Sequence, residues 1–229
     1  MNGPLTVVCV KAGMKFGPEY VNRLHLAVKR YLTQPHRFAC LTENASGIDA
    51  EIQILPLEHP DLVGWWHKLT LFKPPAGLED SRLLFLDLDK VIIGNIDFLA
   101  EYDGPFAILR DFYRPKGYGS AIMSIAPGFG RHIWERFSSD PRHWMAAYSG
   151  DQEFIESCGV KADLWQDLYP KKIVSYKAHC QVMSDEIPGG ASIVCFHGEP
   201  RPHEAAARTL WVKTFWEGNV HSADTIPPG

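Results

Sequence analysis

The sequence predicts an α/β fold with a mainly parallel central sheet flanked by helices. Short, continuous apolar runs recur along the 229 residues, and such runs are typical of strands that are covered on both faces. The first run is followed by an amphipathic segment and then by a second run, which is the alternation of α/β proteins. Polar residues directly follow several of these runs, at the place where open α/β sheets bind their ligands.

The first elements follow this alternation. Residues 5–10 form the first apolar run, and a loop with Gly13 and Gly17 comes next. Pro18 then opens a helix, because its fixed φ suits a first turn. This helix should end near residues 34–35, and its apolar face consists of Val21, Leu24, Val28, Tyr31 and Leu32. Residues 38–41 and 52–55 are predicted to be the next two strands.

The remaining elements lead to the candidate site. Residues 65–72 are predicted to form a helix with Trp65, Leu69 and Phe72 facing inward and Lys68 off the buried face. A further helix is predicted to begin at Asp151, and the last one at residues 210–216. Strands are predicted at residues 83–86, 91–93, 106–109, 120–125 and 192–196. No repeat or linker interrupts the chain, so we expect one domain over residues 1–229.

The composition argues against several functions. The net charge is −4 and the isoelectric point is about 6.2, so no general attraction to nucleic acid is expected. No apolar run approaches the roughly 18 residues of a membrane-spanning helix, and the N-terminus lacks the pattern of a secretion signal. We therefore expect a cytoplasmic protein without a transmembrane segment, whose five cysteines are reduced.

Two carboxylates follow the most apolar run of the chain. Asp87 and Asp89 alternate, so both can face one divalent cation such as Mg²⁺ or Mn²⁺, although an isolated Asp-x-Asp is also common in solvated turns. Two like charges at a buried strand end need a counter-ion, which favours the cation site. His197 follows another apolar run and is either a third metal ligand or a hydrogen-bonded structural residue. Arg201 has the planar fork that suits phosphate oxygens, or it lies on the surface.

Residues 85–89 and 91–96 resemble the Asp-x-Asp region of GT-A fold glycosyltransferases that use nucleotide-diphospho-sugars, notably family 8, which includes glycogenin and galactosyltransferase-like proteins. In that family a hydrophobic strand runs into Leu-Asp-x-Asp, and a short second strand leads to Asn-Ile/Leu-x-x-Leu. The likeness covers most of the chain in order: a strand at 8–10 and the helix that contains Lys68 precede the Asp-x-Asp, and a strand at 119–121, Asp151-Gln152 and a C-terminal His-Gly loop follow it. The chain departs from the pattern at Gly119, where the family has Asn, and at His197, which precedes its glycine by one position instead of three.

The resemblance implies a single GT-A (Rossmann-like) domain and a role for each matching residue. Asp87 would lie near the ribose and the metal, Asp89 would bind Mn²⁺ (or Mg²⁺) directly, and His197 would be the remaining metal ligand. Sugar hydroxyls near the anomeric carbon would be held by three catalytic candidates, Asp111, Asp151 and Gln152. The donor nucleotide and its diphosphate would contact Val10, Lys11, Phe16, Lys68, Asp87, Leu88, Ser120, Gly198 and Arg201.

The activity implied by the resemblance is metal-dependent transfer of a sugar from a nucleoside-diphosphate sugar, in the first instance a UDP-sugar, with retention of anomeric configuration. The acceptor would be a carbohydrate, a lipid-linked molecule or a protein. A bound cation with Lys68 and Arg201 would stabilise the charge that grows on the leaving diphosphate. Carboxylates would stabilise the oxocarbenium-like sugar. Trp66 and Trp165, flanked by polar residues, are the predicted acceptor-side aromatic residues.

Two other functions fit parts of the sequence. Haloacid-dehalogenase-like phosphatases also have an apolar strand that ends in Asp-x-Asp, and residues 86–91 match the start of that motif. The Gly-Thr that follows there is missing here, and the motif comes after earlier predicted strands instead of at the N-terminus. A non-catalytic sugar-nucleotide-binding domain would keep the fold without turnover. Sugar-nucleotide turnover, phosphatase activity alone, and binding alone separate the three hypotheses.

Overall fold

Two sheets hold the strands of this protein. The structure is a computed structural model that describes residues 4–180, 186–187 and 189–218. Within these residues the strands are β1 (Leu5–Lys11), β2 (Arg37–Thr42), β3 (Gln53–Leu55), β4 (Arg82–Leu86), β5 (Lys90–Ile92), β6 (Phe106–Arg110), β7 (Tyr118–Ile125), β8 (Asp163–Leu164), β9 (Ile173–Ser175) and β10 (Ile193–Cys195).

Helices cover the sheets and connect their strands. One 3₁₀ helix spans Gly64–Phe72. The α-helices are α1 (Pro18–Tyr31), α2 (Asp97–Glu101), α3 (Arg131–Ser139), α4 (Pro141–Ala147), α5 (Asp151–Ser157), α6 (Trp165–Leu168), α7 (Tyr176–His179), α8 (Pro202–Ala206) and α9 (Leu210–Trp216). The predicted first helix, the helix that begins at Asp151 and the terminal helix are therefore confirmed.

The larger sheet has seven strands in the order β3-β2-β1-β4-β7-β6-β8. Strands β1 to β4 run parallel, β7 is antiparallel to β4 and to β6, and β8 is parallel to β6. Most neighbouring pairs are parallel, so the predicted mainly parallel central sheet is confirmed. Strands β4 and β6 therefore point in the same direction, and their carboxyl ends lie at the same edge of the sheet.

Both faces of this sheet are covered, which explains the continuous apolar runs. Val7 and Cys9 of β1 pack in the same core as Leu24 of α1. Val8, between them, points to the opposite face and packs in a second core with Leu69 of the 3₁₀ helix. A strand that is buried on both faces has no polar alternation, as in other parallel sheets.

The smaller sheet has three strands in the order β5-β10-β9, and the sequence did not predict it as a separate unit. Strand β10 is antiparallel to β5, with Cys195 opposite Lys90, and parallel to β9. The backbone N–H of Phe196 donates a hydrogen bond to the carbonyl oxygen of Asp89 at 3.2 Å. This pairing brings the Asp-x-Asp segment against the loop that follows β10.

The segment 65–72 differs from its prediction. A 3₁₀ helix has about three residues per turn, so its faces are not those of the predicted α-helix. Trp65 is 49% exposed, whereas Trp66 is 4% exposed and stacks on Phe137 with ring centroids 5.5 Å apart. Lys68 is buried as well. The predictions of an inward Trp65 and an outward Lys68 were wrong.

The two tryptophans predicted on the acceptor side are core residues. Trp66 lies among the apolar residues below the 3₁₀ helix. Trp165 is fully buried, and its indole N–H donates a hydrogen bond to the carbonyl oxygen of Ile122 at 3.2 Å. Their polar sequence neighbours were a poor guide to exposure, because His67 and Lys68 beside Trp66 are themselves buried.

The cysteines form no disulfide bond. All five are unpaired, and Cys9, Cys40 and Cys195 are buried. Among the described residues, no helix combines the length and the apolar character needed to cross a bilayer.

Candidate functional site

A cavity of about 390 Å³ opens at the edge of the large sheet where β4 and β6 end. Its walls come from five segments that are far apart along the chain. These segments are residues 87–90, 109–113, 119–121, 149–153 and 195–198, and Lys15, Trp65 and Lys68 complete the lining. The cavity therefore lies where the sequence placed the ligand site, beyond the carboxyl ends of the strands.

Asp87 is paired with a buried lysine. The backbone N–H of Asp87 donates to the carbonyl oxygen of Ala121 at 2.9 Å, which continues the pairing of β4 with β7. Its Oδ2 accepts a hydrogen bond from Nζ of Lys68 at 2.9 Å, and the same Nζ is 3.3 Å from Oγ of Ser120. Burial alone would lower the pKa of Lys68, but the charges of Asp151 and Asp87 outweigh it and raise that pKa. The ammonium group is therefore a fixed positive charge in the cavity wall.

Asp89 is paired with the residue that follows it. Nζ of Lys90 donates a short hydrogen bond to Oδ1 of Asp89 and lies 3.3 Å from the carbonyl oxygen of Phe196. Lys90 is 3% exposed and lines the cavity. Burial would lower its pKa, but the Asp89 carboxylate and, more weakly, other nearby groups raise it above the ordinary value. Both carboxylates of the Asp-x-Asp motif thus have a buried ammonium partner.

Asp111 is held in place by hydrogen bonds from neighbouring groups. Its Oδ1 accepts hydrogen bonds from the backbone N–H groups of Tyr113 and Arg114 at 2.8 and 2.9 Å. Its Oδ2 accepts from Nε2 of Gln152 at 3.2 Å and from Nε of Arg114 at 3.3 Å. Burial raises the pKa of Asp111, but these N–H groups and the Arg114 charge lower it overall. Asp111 is therefore an oriented carboxylate, and the side-chain amide of Gln152 is hydrogen-bonded to it.

Asp151 is the most enclosed acid of the cavity. It begins α5 and is 4% exposed, and its Oδ2 is buried with no hydrogen-bond partner in the part of the chain that the structure describes. Burial raises the pKa of its carboxyl group, while Lys68 and a hydrogen bond with Ser120 partly offset that effect. An unpartnered buried carboxylate oxygen at a cavity wall is suited to accept a hydrogen bond from a hydroxyl group of a ligand.

His197 lines the cavity, but its ring is already engaged. Its Nε2 is 2.7 Å from Oγ of Ser175, and the ring stacks on Phe112 with centroids 5.8 Å apart. Burial, with Lys177 and Lys90 nearby, lowers the pKa of His197, so the neutral imidazole is favoured. Gly198 beside it has a φ of 71°, which favours glycine.

The predicted metal ligands share this cavity without forming a ligand set. In the described ranges, no three His, Cys, Asp or Glu side chains are arranged to hold a metal ion. Asp87 and Asp89 each bind an ammonium group, and Nε2 of His197 is bonded to Ser175. As arranged here, these donors do not fit Mn²⁺ or Mg²⁺, because a cation at Asp89 would lie against the buried charge of Lys90.

The other predicted donor-binding residues divide into two groups. Ser120 and Gly198 line the cavity, as do Lys68 and Asp87. Outside it, Leu88 is a core residue, Lys11 is buried, and Val10 and Phe16 pack against the two cores. Arg201 lies at a second cavity of about 250 Å³, which Lys15 also borders. The structure thus does not bring Val10, Lys11, Phe16, Leu88 and Arg201 to the main cavity.

The lining residues that the sequence reasoning did not place at the site include Lys15, Trp65, Lys90 and Tyr113. Trp65 and Tyr113 are 49% and 61% exposed, and exposed aromatic rings at a cavity mouth are unusual enough to suggest a ligand contact. Lys90 had a signal in the sequence, because it stands between an acid and an apolar strand. A lysine in that position must be either an edge residue or the partner of the acid.

Comparison with solved structures identifies the fold. The galactosyltransferase LgtC, in a complex with donor and acceptor sugar analogs, superposes with a TM-score of 0.66 and 12% identity over 96% of this chain and 98% of that one. The glycosyltransferase GlyE of Streptococcus pneumoniae TIGR4 gives a TM-score of 0.68 at 13% identity; the match covers 96% of this chain but 61% of GlyE. The expected GT-A fold, similar to that of family 8, is confirmed.

At the level of sequence, no family model matches the chain, and no curated protein shows significant similarity to it. The TM-scores of 0.66 and 0.68 establish a shared fold. Because the identities are only 12% and 13%, the function has to be argued from the cavity.

Proposed function

We propose that this protein transfers a sugar from a nucleoside-diphosphate sugar to an acceptor. The observation that carries the proposal is one cavity that is lined both by fixed ammonium groups and by oriented carboxylates. Ammonium groups suit the diphosphate of a donor, and carboxylates suit the hydroxyl groups of its sugar. The fold shared with LgtC and GlyE supports this assignment.

The diphosphate would bind beside Lys68. When the bond between sugar and diphosphate breaks, negative charge grows on the leaving oxygen, and a preorganised cation stabilises it. Lys68 is suited to this role because Asp87 and Ser120 hold its Nζ at 2.9 and 3.3 Å. Uridine as the base, and retention of the anomeric configuration, are parts of the proposal that follow from the family resemblance.

The sugar would bind between Asp111, Gln152 and Asp151. Asp111 is ionised and oriented, and Gln152 presents an amide joined to it at 3.2 Å. Asp151 adds a carboxylate oxygen that has no hydrogen-bond partner among the described residues. Hydrogen bonds from sugar hydroxyl groups to these acceptors would place the anomeric carbon and stabilise its positive charge in the transition state.

The acceptor would enter past Trp65 and Tyr113. Both rings are exposed and line the cavity, so either can stack on the apolar face of a sugar ring. We propose a carbohydrate acceptor, free or attached to lipid or protein, and action in the cytoplasm, where the five unpaired cysteines would stay reduced. Metal dependence follows only from the resemblance, and the ammonium group of Lys90 beside Asp89 argues against a cation there.

Donor binding tests the proposal directly. We expect UDP or another nucleoside diphosphate to raise the melting temperature, because a ligand that binds only the native state stabilises it by about 2.7 kcal/mol at a concentration of 100 times Kd. We also expect slow hydrolysis of the matching nucleotide sugar when water replaces the acceptor. Hydrolysis of p-nitrophenyl phosphate with no response to any nucleotide sugar would instead support a phosphatase, and binding without turnover a binding domain.

A matched pair of variants separates site effects from general ones. Asp111→Asn keeps the size of the side chain but removes its charge, and we expect donor hydrolysis to fall by about 10²-fold or more. Asp61→Asn removes an exposed carboxylate that does not line the cavity, and it should leave hydrolysis unchanged. Equal activity in the two variants would contradict the role given to Asp111.

A further inference from the structure

We propose that the ammonium group of Lys90 stands in the place of a divalent cation at Asp89, so that the cavity binds the donor diphosphate without a metal ion. This inference rests on the proposed function, because it names how that function's donor is held. It concerns a residue that directly follows the Asp-x-Asp motif and lies in the cavity wall.

The position of Lys90 is fixed from two sides. Its backbone belongs to β5, where it pairs with Cys195 of β10. Its Nζ contacts Oδ1 of Asp89 and the carbonyl oxygen of Phe196, which is itself held to Asp89 through its backbone N–H. The side chain is 2% exposed, so it has no solvated position to which it could move without breaking these contacts.

The charges of the site already balance. Asp87 and Asp89 carry two negative charges, and Lys68 and Lys90 carry two positive ones in direct contact with them. A divalent cation between two carboxylates would supply the same total charge. The two lysines thus give the cavity the charge of a metal-loaded Asp-x-Asp site.

Adding a cation to this arrangement is unfavourable. A divalent ion at Asp89 would have to displace Lys90 from its carboxylate and leave a buried ammonium group beside two further positive charges. His197 does not offset this, because its Nε2 is bonded to Ser175 at 2.7 Å. Lys90 therefore excludes the ion that Asp89 would otherwise bind.

An ammonium group also offers what a diphosphate needs. Lys90 has three N–H bonds and shares them among Asp89, the Phe196 carbonyl group and the cavity that it lines. Lys68 lines the same cavity from the 3₁₀ helix, and Lys15 is exposed at its rim. Three lysines from different segments can therefore surround the phosphate oxygens.

The first experiment uses the wild-type protein. Calorimetric titrations with UDP and with pyrophosphate are made after EDTA treatment and again with added Mn²⁺. We expect the UDP Kd to agree within about twofold between the two conditions, well below the tenfold change that corresponds to 1.4 kcal/mol. Binding that appears only with Mn²⁺, or that tightens by about tenfold or more, would overturn the inference and leave the proposed function standing. No binding in either condition would overturn both.

A second measurement on the wild type does not depend on turnover. The electron paramagnetic resonance signal of free aqueous Mn²⁺ weakens when a protein binds the ion, and we expect this protein to leave that signal unchanged. A stoichiometric loss of the signal that Asp89→Asn abolishes would place Mn²⁺ at Asp89 and overturn the inference.

The variant Lys90→Met tests the residue itself, since Met keeps the apolar stem and removes the charge. We expect UDP affinity in EDTA to fall by about tenfold or more, and Mn²⁺ to restore it because Asp89 is then free. Lys29→Met is the control, because Lys29 is an exposed lysine of α1 paired with Glu51, and its loss should leave UDP affinity unchanged. Unchanged UDP affinity in folded Lys90→Met would contradict the inference, and the two wild-type measurements decide it even if that variant does not fold.

Discussion

The ammonium group of Lys68 is enclosed by Asp87, Ser120 and Asp151. This enclosure determines how much Lys68 contributes to the free energy of unfolding. Replacing it by Met leaves the buried Asp151 and the partly buried Asp87 without their counter-ion, so we expect Lys68→Met to lower the free energy of unfolding by about 3–5 kcal/mol. Urea denaturation measures the change. UDP binding should weaken in the same variant.

An exposed pair gives the contrast. Nζ of Lys29 lies 2.7 Å from Glu51, a shorter distance than the one between Lys68 and Asp87, but both side chains are more than half exposed. Solvent screens such pairs, and Lys29→Met should lower the unfolding free energy by no more than about 1 kcal/mol. Similar losses in the two lysine variants would show that Lys68 is not buried as described.

Trp65 gives a prediction for the acceptor side. It lines the cavity and is 49% exposed, so its removal should affect stacking with a ligand more than the stability of the fold. We expect Trp65→Ala to raise the acceptor KM by about 3- to 10-fold, the loss of about 1 kcal/mol of aromatic contact. Donor hydrolysis without acceptor should be unchanged. An equal fall in both activities would place Trp65 at the donor instead.

At the scale of the element, the start of α3 depends on one glycine. Gly130 precedes this helix with a φ of 76°, and a Cβ built there would lie 2.5 Å from Cδ1 of the buried Phe72 ring. Gly128 has nearly the same φ, 75°, but a Cβ there would meet nothing within 4 Å. Ala at either position therefore introduces similar backbone strain, but only Ala at position 130 also clashes with the Phe72 ring.

We expect Gly130→Ala to lower the unfolding free energy by about 1–3 kcal/mol more than Gly128→Ala. Thermal unfolding of both variants beside the wild type measures the difference. Equal melting temperatures would mean that the Phe72 ring moves aside, and that α3 and the 3₁₀ helix are less tightly packed than the distance indicates.

Elements with a strong periodic signal could be predicted from the sequence, and short paired elements could not. The helix α1 has an apolar face that repeats over 14 residues, and β1 has a run that is buried on both faces. The smaller sheet consists of strands of three residues each, from positions far apart along the chain, so no local pattern announces it. The 3₁₀ helix was assigned the wrong faces because its period is not 3.6.

The same distinction holds for the site. Asp87, Asp89, Asp111, Asp151, Gln152 and His197 were predictable because they follow strands or begin a helix at one sheet edge, and all of them line the cavity. Ser120 lies within β7 and lines the cavity too, but only the resemblance assigned it to the site. Arg201 and Phe16 belong to loops whose path the sequence does not determine, and they lie elsewhere. Lys90 was overlooked because a charge within an apolar run was not matched with its neighbouring acid.

For the whole molecule, buried histidines predict how stability depends on pH. Burial lowers the pKa of His25 and of His67 below the ordinary 6.5, and within residues 4–180, 186–187 and 189–218 the buried Nδ1 of each has no hydrogen-bond partner. As pH falls through this value, the unfolded chain takes up protons that the native state does not yet bind. The free energy of unfolding therefore decreases toward acid pH, and this contribution is fully present only above the unfolded pKa.

Urea midpoints at about pH 7.5 and about pH 5.5 measure this decrease. We expect the decrease to be smaller in His67→Asn, whose side chain does not titrate in this range. A pH dependence equal to that of the wild type would show that His67 takes up its proton equally in the native and unfolded states.

The pairing of β5 with β10 also divides the cavity between two stretches of polypeptide. Asp87, Asp89 and Lys68 lie on the stretch before β10, whereas Phe196 and His197 lie on the stretch that begins with it. Were the protein supplied as two separate polypeptides divided between β9 and β10, neither piece alone would enclose a nucleotide. Recovery of nucleotide binding on mixing would then report reassembly, which makes the molecule a candidate scaffold for a complementation sensor.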